Sequence, residues 1–268
     1  MAIRTKTSEE IEVLRECGAR LAMILDNLKQ AARIGVSTGD LDRLAEKLID
    51  EAGGIPVFKG YRIDDSPPYP AVICTSINDE VVHAIPKSSR VLADGDILAI
   101  DIGMGWPKGP SQGFSRYAGK PLITDAALTV PIGHVSPEAA PLIRDTEAAL
   151  RAGIDEARVG KRVGDISSRI EAFLRSCGLG IVRGLAGHGV GYELHEDPLI
   201  PNYGTKGTGL VLKEGMVCAI EPMATLGSGA VTVDRDGWTF RTKDGSYAAH
   251  FEHTIALFED GTRILTVV

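Results

Sequence analysis

Several features are scarce in these 268 residues, and each scarcity narrows what the chain can be. There are four cysteines, Cys17, Cys74, Cys177 and Cys218, and they form no tight pairs. A disulfide framework and a zinc knuckle are therefore not indicated, and free thiols fit a reducing, cytoplasmic setting. No apolar run approaches the roughly 20 residues a membrane-spanning helix needs. The opening MAIRTKTSEEIEVL is too polar for a secretory signal. Positive charge is also short: 29 Lys and Arg stand against 36 Asp and Glu, a net charge of −7, so no basic surface for nucleic acid or anionic membrane is expected. No linker or low-complexity stretch divides the chain, so one shared core over residues 1–268 is expected rather than two independent units.

What is present is organised twice. Residues 8–33 have apolar positions at helical spacing, with Ser8 as the expected N-cap and Glu9 and Glu10 in the first turn. Residues 38–52 predict a second helix closed by Gly53-Gly54, and β-rich runs follow at 70–77, 96–104 and 125–133. The order then repeats. Ser136-Pro137-Glu138 opens a helix to about Ala152, a second runs from about Asp165 to Cys177, and strands are predicted at 209–223, 230–234, 251–259 and 263–268. Gly35 to Leu41 aligns with Gly160 to Ile166, each leading into a glycine-closed helix. Two related helix–helix–strand halves, about 1–135 and 136–268, are expected to form one domain.

The strands carry residues that do not belong in apolar runs. Asp101 sits in Leu98-Ala-Ile-Asp-Ile-Gly-Met104, Glu221 in Val217-Cys-Ala-Ile-Glu-Pro222, and Glu252 in Phe251-Glu-His-Thr-Ile-Ala-Leu257; Asp125 heads a further strand. A buried ionised carboxylate is costly unless it is paired or bound to metal. One alone reads as an edge residue or a buried ion pair; several on core strands suggest ligands for hard cations. His188 lies in Gly187-His-Gly-Val-Gly191, where flanking glycines let a ligand approach the backbone, and His195-Glu196 follows seven residues on. A histidine among carboxylates suits Mn, Fe, Co or Zn better than Mg alone.

In this order the residues resemble the methionine aminopeptidase family, in its short bacterial type. The resemblance runs from the first helix to the last strand, through Ile77-Asn-Asp-Glu-Val-Val-His83-Ala-Ile-Pro86, Asp101-Ile-Gly103, Asp125-Ala-Ala-Leu-Thr129, Gly187-His188-Gly189, His195-Glu196-x-Pro198, Glu221-Pro222 and Phe251-Glu252-His253-Thr254. It implies an α+β pita-bread (creatinase/aminopeptidase) fold, two pseudo-twofold-related halves around a central antiparallel sheet. It further implies two divalent ions (Co, Mn, Fe or Zn) on Asp101, Asp125, His188, Glu221 and Glu252, with Asp125 and Glu252 bridging. Glu221 is then the proton acceptor from the attacking water, His195 stabilises the oxyanion, and His83 contacts the substrate amide and assists the leaving amine. Tyr61, Tyr69, Cys74, Leu194 and Trp238 fall where the family lines a methionine pocket, an apolar slot suited to a thioether. The partners implied are nascent peptide N-termini, with the ribosome nearby. No oligomer signal is present, so a monomer is expected.

Three departures stand out. Asp101 and Asp125 flank a longer connection than in the family, Gly- and Pro-rich from Trp106 to Pro121. Ile63 to Pro68 separates the two pocket tyrosines, and Leu194 stands where an aromatic is common. His250 replaces a customary amide; strand alternation puts it on the side of Glu252, as a partner to a metal ligand rather than a sixth ligand.

Two rivals are weighed against this reading. Proline-specific hydrolases of the same fold carry a large N-terminal domain and further histidines near the metals. Non-catalytic modules of the fold lose ligands, whereas here all five positions are filled. The long helical insertion of the eukaryotic-type enzymes has no counterpart, because His188 to Glu221 is compact. Cys74 and Cys218 lie in apolar runs, which points to packing rather than a thiol nucleophile. Excision of residues 107–120 is expected to widen the range of peptides cleaved. Relative kcat/KM over a peptide panel checks this, and unchanged selectivity contradicts it.

Overall fold

The computed structural model describes residues 3–63, 66–109 and 120–268. Its helices are α1 (Ser8–Ala31), α2 (Thr38–Glu51), α3 (Ala139–Glu156) and α4 (Val163–Ser176). The strands are β1 (Ile55–Pro56), β2 (Cys74–Ile77), β3 (Glu80–Val82), β4 (Ile97–Trp106), β5 (Leu122–Pro131), β6 (Gly180–Ile181), β7 (Ala186–Gly189), β8 (Glu196–Pro201), β9 (Val217–Ile220), β10 (Met223–Thr225), β11 (Val231–Val233), β12 (Phe240–Thr242), β13 (Ala248–His250), β14 (Glu252–Phe258) and β15 (Gly261–Ile264).

The helices start where their caps dictate. Thr7, not Ser8, caps α1: its hydroxyl accepts from the Glu10 N–H, and the Glu10 carboxylate accepts from the Thr7 N–H. A capping box needs its acid three residues on, and Glu10 stands three beyond Thr7. Ser37 and Asp40 repeat the box at α2. At α4 the Asp165 carboxylate accepts from the Arg162 N–H, so the helix begins at Val163 rather than at Asp165. Helix α3 begins at Ala139 and continues past Ala152 to Glu156, because Ala152, Gly153 and Ile154 extend its buried face.

The main sheet is antiparallel and joins both halves in the order β1-β4-β5-β14-β9-β7-β8, with β2 on β4 and β15 on β14. Its two faces differ. On β4, Leu98, Ile100, Ile102 and Met104 pack with Leu21, Ile24 and Leu28 of α1 and Leu41 of α2. On β9 and β14, Cys218, Ile220, Ile255 and Leu257 pack with Leu142 and Leu150 of α3 and Ile170 and Leu174 of α4. Strand alternation sends Ala99, Asp101, Gly103 and Ala219 to the opposite face. Thus one face is helix-covered core, and the other carries both the carboxylates and a smaller apolar cluster in which Val217, Ala219 and Ala256 pack with Ile11 and Leu14 of α1.

The repeat expected from sequence is visible in hydrogen bonds. Gly35 N–H donates to the Leu92 carbonyl as Gly160 N–H does to Leu212, and isolated bridges join Ser37 to Val91 and Arg162 to Val211. Ten residues beyond Val91 comes Asp101, and ten beyond Val211 comes Glu221. The two carboxylates thus occupy corresponding places in the two halves.

Two strand expectations need correction. Residues 209–216 are not strand: β9 starts only at Val217, because Gly209 and Gly215 take φ of +79° and +77°, left-handed backbone that interrupts a strand. His188, whose flanking glycines suggested an open approach for a ligand, lies on β7. Its neighbouring glycines serve strand approach rather than ligand approach. A Cβ on Gly187 would sit 2.5 Å from the Ala219 carbonyl oxygen, and one on Gly189 2.4 Å from that of Asp197. Most of the Trp106–Pro121 connection, residues 110–119, lies outside the described residues.

Because the faces are separate, Ile100→Ala is expected to lower stability by about 2–5 kcal/mol, as a buried large-to-small change does. Divalent-metal affinity should stay within about twofold, since the side chain points away from Asp101. Urea unfolding and metal titration of the variant check the two halves of this statement.

Candidate metal centre and substrate pocket

Sheet register gathers the expected ligands. Asp101 on β4 faces Ala127 on β5, and Ala127 faces Glu252 on β14, so the two acids lie in one row across the sheet. Asp125 precedes Ala127 by two residues and shares its face; it sits within β5, not at its head. One row further, Thr254 faces Ala219 and Ala219 faces His188. Glu221 follows Ala219 by two. The Thr254 hydroxyl donates to the Asp125 carbonyl and accepts from its N–H, at 2.8 and 2.9 Å, which locks β14 to β5 at this point.

All twelve residues expected as ligands, catalytic groups or pocket walls line one cavity. Asp125, His188 and Glu252 offer ligand atoms within 4.8 Å of one another. Asp101 and Glu221 complete the polar floor of the same cavity. His188 Nε2 is 3.6 Å from Glu221 Oε1, while its Nδ1 is 2.9 Å from the Gly189 carbonyl oxygen. The carbonyl can only accept, so Nδ1 carries the proton and Nε2 presents a lone pair to the carboxylates.

The electrostatics follow from this crowding. Burial, then neighbouring carboxylates, raise Asp101 and Glu252 well above the usual range. Asp125 is raised to about 8 by burial and by Glu221, and Glu221 to about 8 by burial. Burial lowers His83 and His188 to about 3 and His195 to about 4, so all three are neutral at pH 7. Asp101 Oδ1 and Glu252 Oε1 are buried without a hydrogen-bond partner. Orphaned acid oxygens facing one another, beside a histidine lone pair, are the donor set a divalent transition ion takes. The residues therefore fit a metal.

The remaining residues form the walls. Phe58, Tyr69, Cys74, Leu194 and Trp238 make one buried apolar cluster, with Tyr61 packed against it. The Tyr69 hydroxyl donates to the Ile73 carbonyl at 3.0 Å, and Trp238 Nε1 donates to the Pro67 carbonyl at 2.9 Å, so both rings are fixed through their polar tips. Phe58 and Ile63 also line the cavity. Sequence reading missed both; Phe58 stands three residues before Tyr61, where the apolar run Ile55-Pro-Val-Phe58 was the available signal. His83 has φ of +60°, a left-handed conformation uncommon outside glycine, as strained residues at functional sites often show.

His250 does not line the cavity. It ends β13, a different strand from the one Glu252 opens, so strand alternation does not relate the two. Its Nε2 instead lies 3.4 Å from Glu221 Oε2. His195 sits on a turn held from beneath. The Glu196 carboxylate accepts from the Tyr192 and Glu193 N–H groups at 2.7 and 3.1 Å and from Lys6 Nζ at 2.9 Å. Lys6 and Glu196 side chains are only 1% and 2% exposed, so the pair is a buried anchor for the turn.

A family model described as metallopeptidase family M24 matches residues 12–259. The chain is 45% identical over 262 residues to a methionine aminopeptidase of Clostridium acetobutylicum, covering 98% of each chain. It is 40% identical to a solved methionine aminopeptidase from Thermotoga maritima, at a TM-score of 0.91 over 100% of both chains. A prolidase from Pyrococcus furiosus superposes at 0.72 with 21% identity, covering 98% of this chain and 65% of that one, a likeness of fold alone. The fold is thus the pita-bread arrangement expected from sequence.

Raised carboxylate pKa values bind protons in the folded state, so that part of the metal-free protein's stability is present below about 4 and lost as pH rises through about 8. Lowered histidines act oppositely, but only below their ordinary value of 6.5. Between pH 6.5 and 8 the carboxylates alone titrate. In that window the Tm of metal-free protein is expected to fall with pH while metal-loaded protein loses less; calorimetry with and without chelator checks it, and a flat or rising metal-free Tm contradicts it.

Proposed function

The chain belongs to metallopeptidase family M24, and on that premise we propose that it removes N-terminal methionine from peptides whose second residue is small. The observation that carries this is one cavity with two characters: a floor of four raised carboxylates and a neutral histidine, and a wall of Tyr69, Cys74, Leu194 and Trp238. Asp101, Asp125, His188, Glu221 and Glu252 would hold two divalent ions of the Co, Mn, Fe or Zn kind. Bound there, such ions acidify water and polarise the scissile carbonyl.

The chain's own groups do the rest. The apolar wall takes the thioether side chain. Glu221, with a proton affinity near neutrality in the metal-free protein, accepts the proton of the attacking water at a carboxylate oxygen. Neutral His195, at the cavity mouth, donates an N–H to the carbonyl oxygen as charge develops. His83, neutral and with its Nδ1 unpartnered, contacts the amide of the leaving residue. His250, through its contact with Glu221, orients that carboxylate.

We place the activity in the cytoplasm, in one catalytic domain of residues 1–268, acting as a monomer on nascent N-termini near the ribosome without contacting nucleic acid. The net charge of −7 and four unpaired cysteines favour this setting. No helix among the described residues is long and apolar enough to cross a membrane.

Metal-stripped protein should release no methionine from Met-Ala-Ser and recover on addition of Mn, Fe or Co, with Leu-Ala-Ser and Met-Pro-Ser poorly cleaved. Preference for Met-Pro-Ser would move the chain to the proline-specific branch. Asp101→Asn is expected to lower kcat/KM at least about 100-fold, the scale of losing one group that holds or stabilises the reacting charge.

A further inference from the structure

His195 has two ring nitrogens, and its proposed role needs a proton on the one that faces the cavity. A neutral imidazole carries only one N–H, and the group bonded to the other nitrogen decides which. In this structure the Tyr61 hydroxyl lies 2.6 Å from His195 Nδ1. The two rings meet edge to face, their centroids 5.0 Å apart, and on its other side His195 meets His188 at 4.4 Å. Among the described residues the Tyr61 hydroxyl has no other partner. We propose that Tyr61 is a positioning residue as well as a pocket wall: its O–H donates to His195 Nδ1, which fixes the ring as the Nε2–H tautomer and aims that N–H at the oxygen of the scissile carbonyl.

The opposite assignment fails on the site's own chemistry. Were Nδ1–H to donate to the tyrosine oxygen, Nε2 would present a lone pair to an oxygen gaining negative charge, which repels it. Both ends of the Tyr61–His195 pair are also held independently of it. The Tyr69 N–H donates to the Tyr61 carbonyl and the Gly60 N–H to the Tyr69 carbonyl, each at 2.8 Å, so the backbone of Tyr61 is closed at the base of the loop that separates the two tyrosines. On the other side, the buried Lys6–Glu196 pair fixes the turn that carries His195. With Cα set by the turn and Nδ1 set by the tyrosine, the direction of Nε2 is determined.

The inference rests on the proposed peptidase reading, and the test separates the two. Zinc-loaded protein labelled with 15N in its histidine rings is examined by long-range proton–nitrogen correlation, with the His195 signals identified by their loss in His195→Gln. The expected spectrum shows a protonated Nε2 and a hydrogen-bonded, unprotonated Nδ1. In Tyr61→Phe, which keeps the ring and removes only the hydroxyl, the Nδ1 signal should move to that of a nitrogen without a donor. With Met-Ala-Ser, kcat should fall about tenfold while KM stays within about twofold, since orientation is lost and the pocket wall is kept. A proton on Nδ1 of the unaltered protein, an unmoved Nδ1 signal in Tyr61→Phe, or a loss confined to KM overturns the positioning role while methionine release itself persists. Failure of every metal to restore methionine release overturns the peptidase reading, and this role with it.

Discussion

Four carboxylates in one water-poor cavity repel one another, and the rest of the structure is arranged around that cost. Ionised together without a cation they would be strongly unfavourable. Burial and mutual repulsion raise their pKa values, those of Asp101 and Glu252 well above the usual carboxylate range, and leave Asp101 Oδ1 and Glu252 Oε1 without hydrogen-bond partners. Asp101, Asp125 and Glu252 stand on β4, β5 and β14, and Glu221 follows directly on β9, so all four are carried by a sheet whose other face is anchored in a helix-covered core. A buried cluster of this kind needs a positive partner, and divalent metal suits its donor set.

From that constraint follow the details of the sheet. Ala127 stands between Asp101 and Glu252 in one row, and Ala219 between Thr254 and His188 in the next, so the register itself brings the long polar side chains together. Glycines at 187 and 189 bring β7 close enough to β8 and β9 for His188 to reach Glu221. The second anchor is the turn from Gly191 to Glu196, pinned by Lys6 from the N-terminal segment. It presents Leu194 to the pocket and His195 to the mouth. Hence the apolar and polar sides of the cavity are registered against each other by a buried ion pair rather than by the sheet alone.

Much of this could be read from sequence, for a physical reason: a carboxylate inside an apolar run is conspicuous wherever it occurs. Asp101, Glu221 and Glu252 each interrupt such a run, and all lie on the cavity floor. The helices are legible from their periodicity, but the cap at Thr7 and the start at Val163 lie one or two residues ahead of the expected positions, because each is set by an acid three residues beyond the cap. Short strands such as β7 and β13 were illegible. Glycine and alanine carry no strand preference, and only tertiary pairing makes Ala186–Gly189 a strand. His250 was placed correctly beside the polar cluster, yet for the wrong geometric reason, since a strand break intervenes at Phe251. The tyrosine–histidine pair spans 134 positions, so no local pattern could announce it.

The central claim is that the acids are kept together for cations, and calorimetric titration of metal-stripped protein with Mn at pH 7, in buffers of different ionisation enthalpy, tests it most directly. The account predicts that the protein takes up two ions and that protons are released as they bind, because acids with pKa near 8 must give up protons to become ligands. Absence of binding, or binding with no buffer-dependent heat, would contradict it.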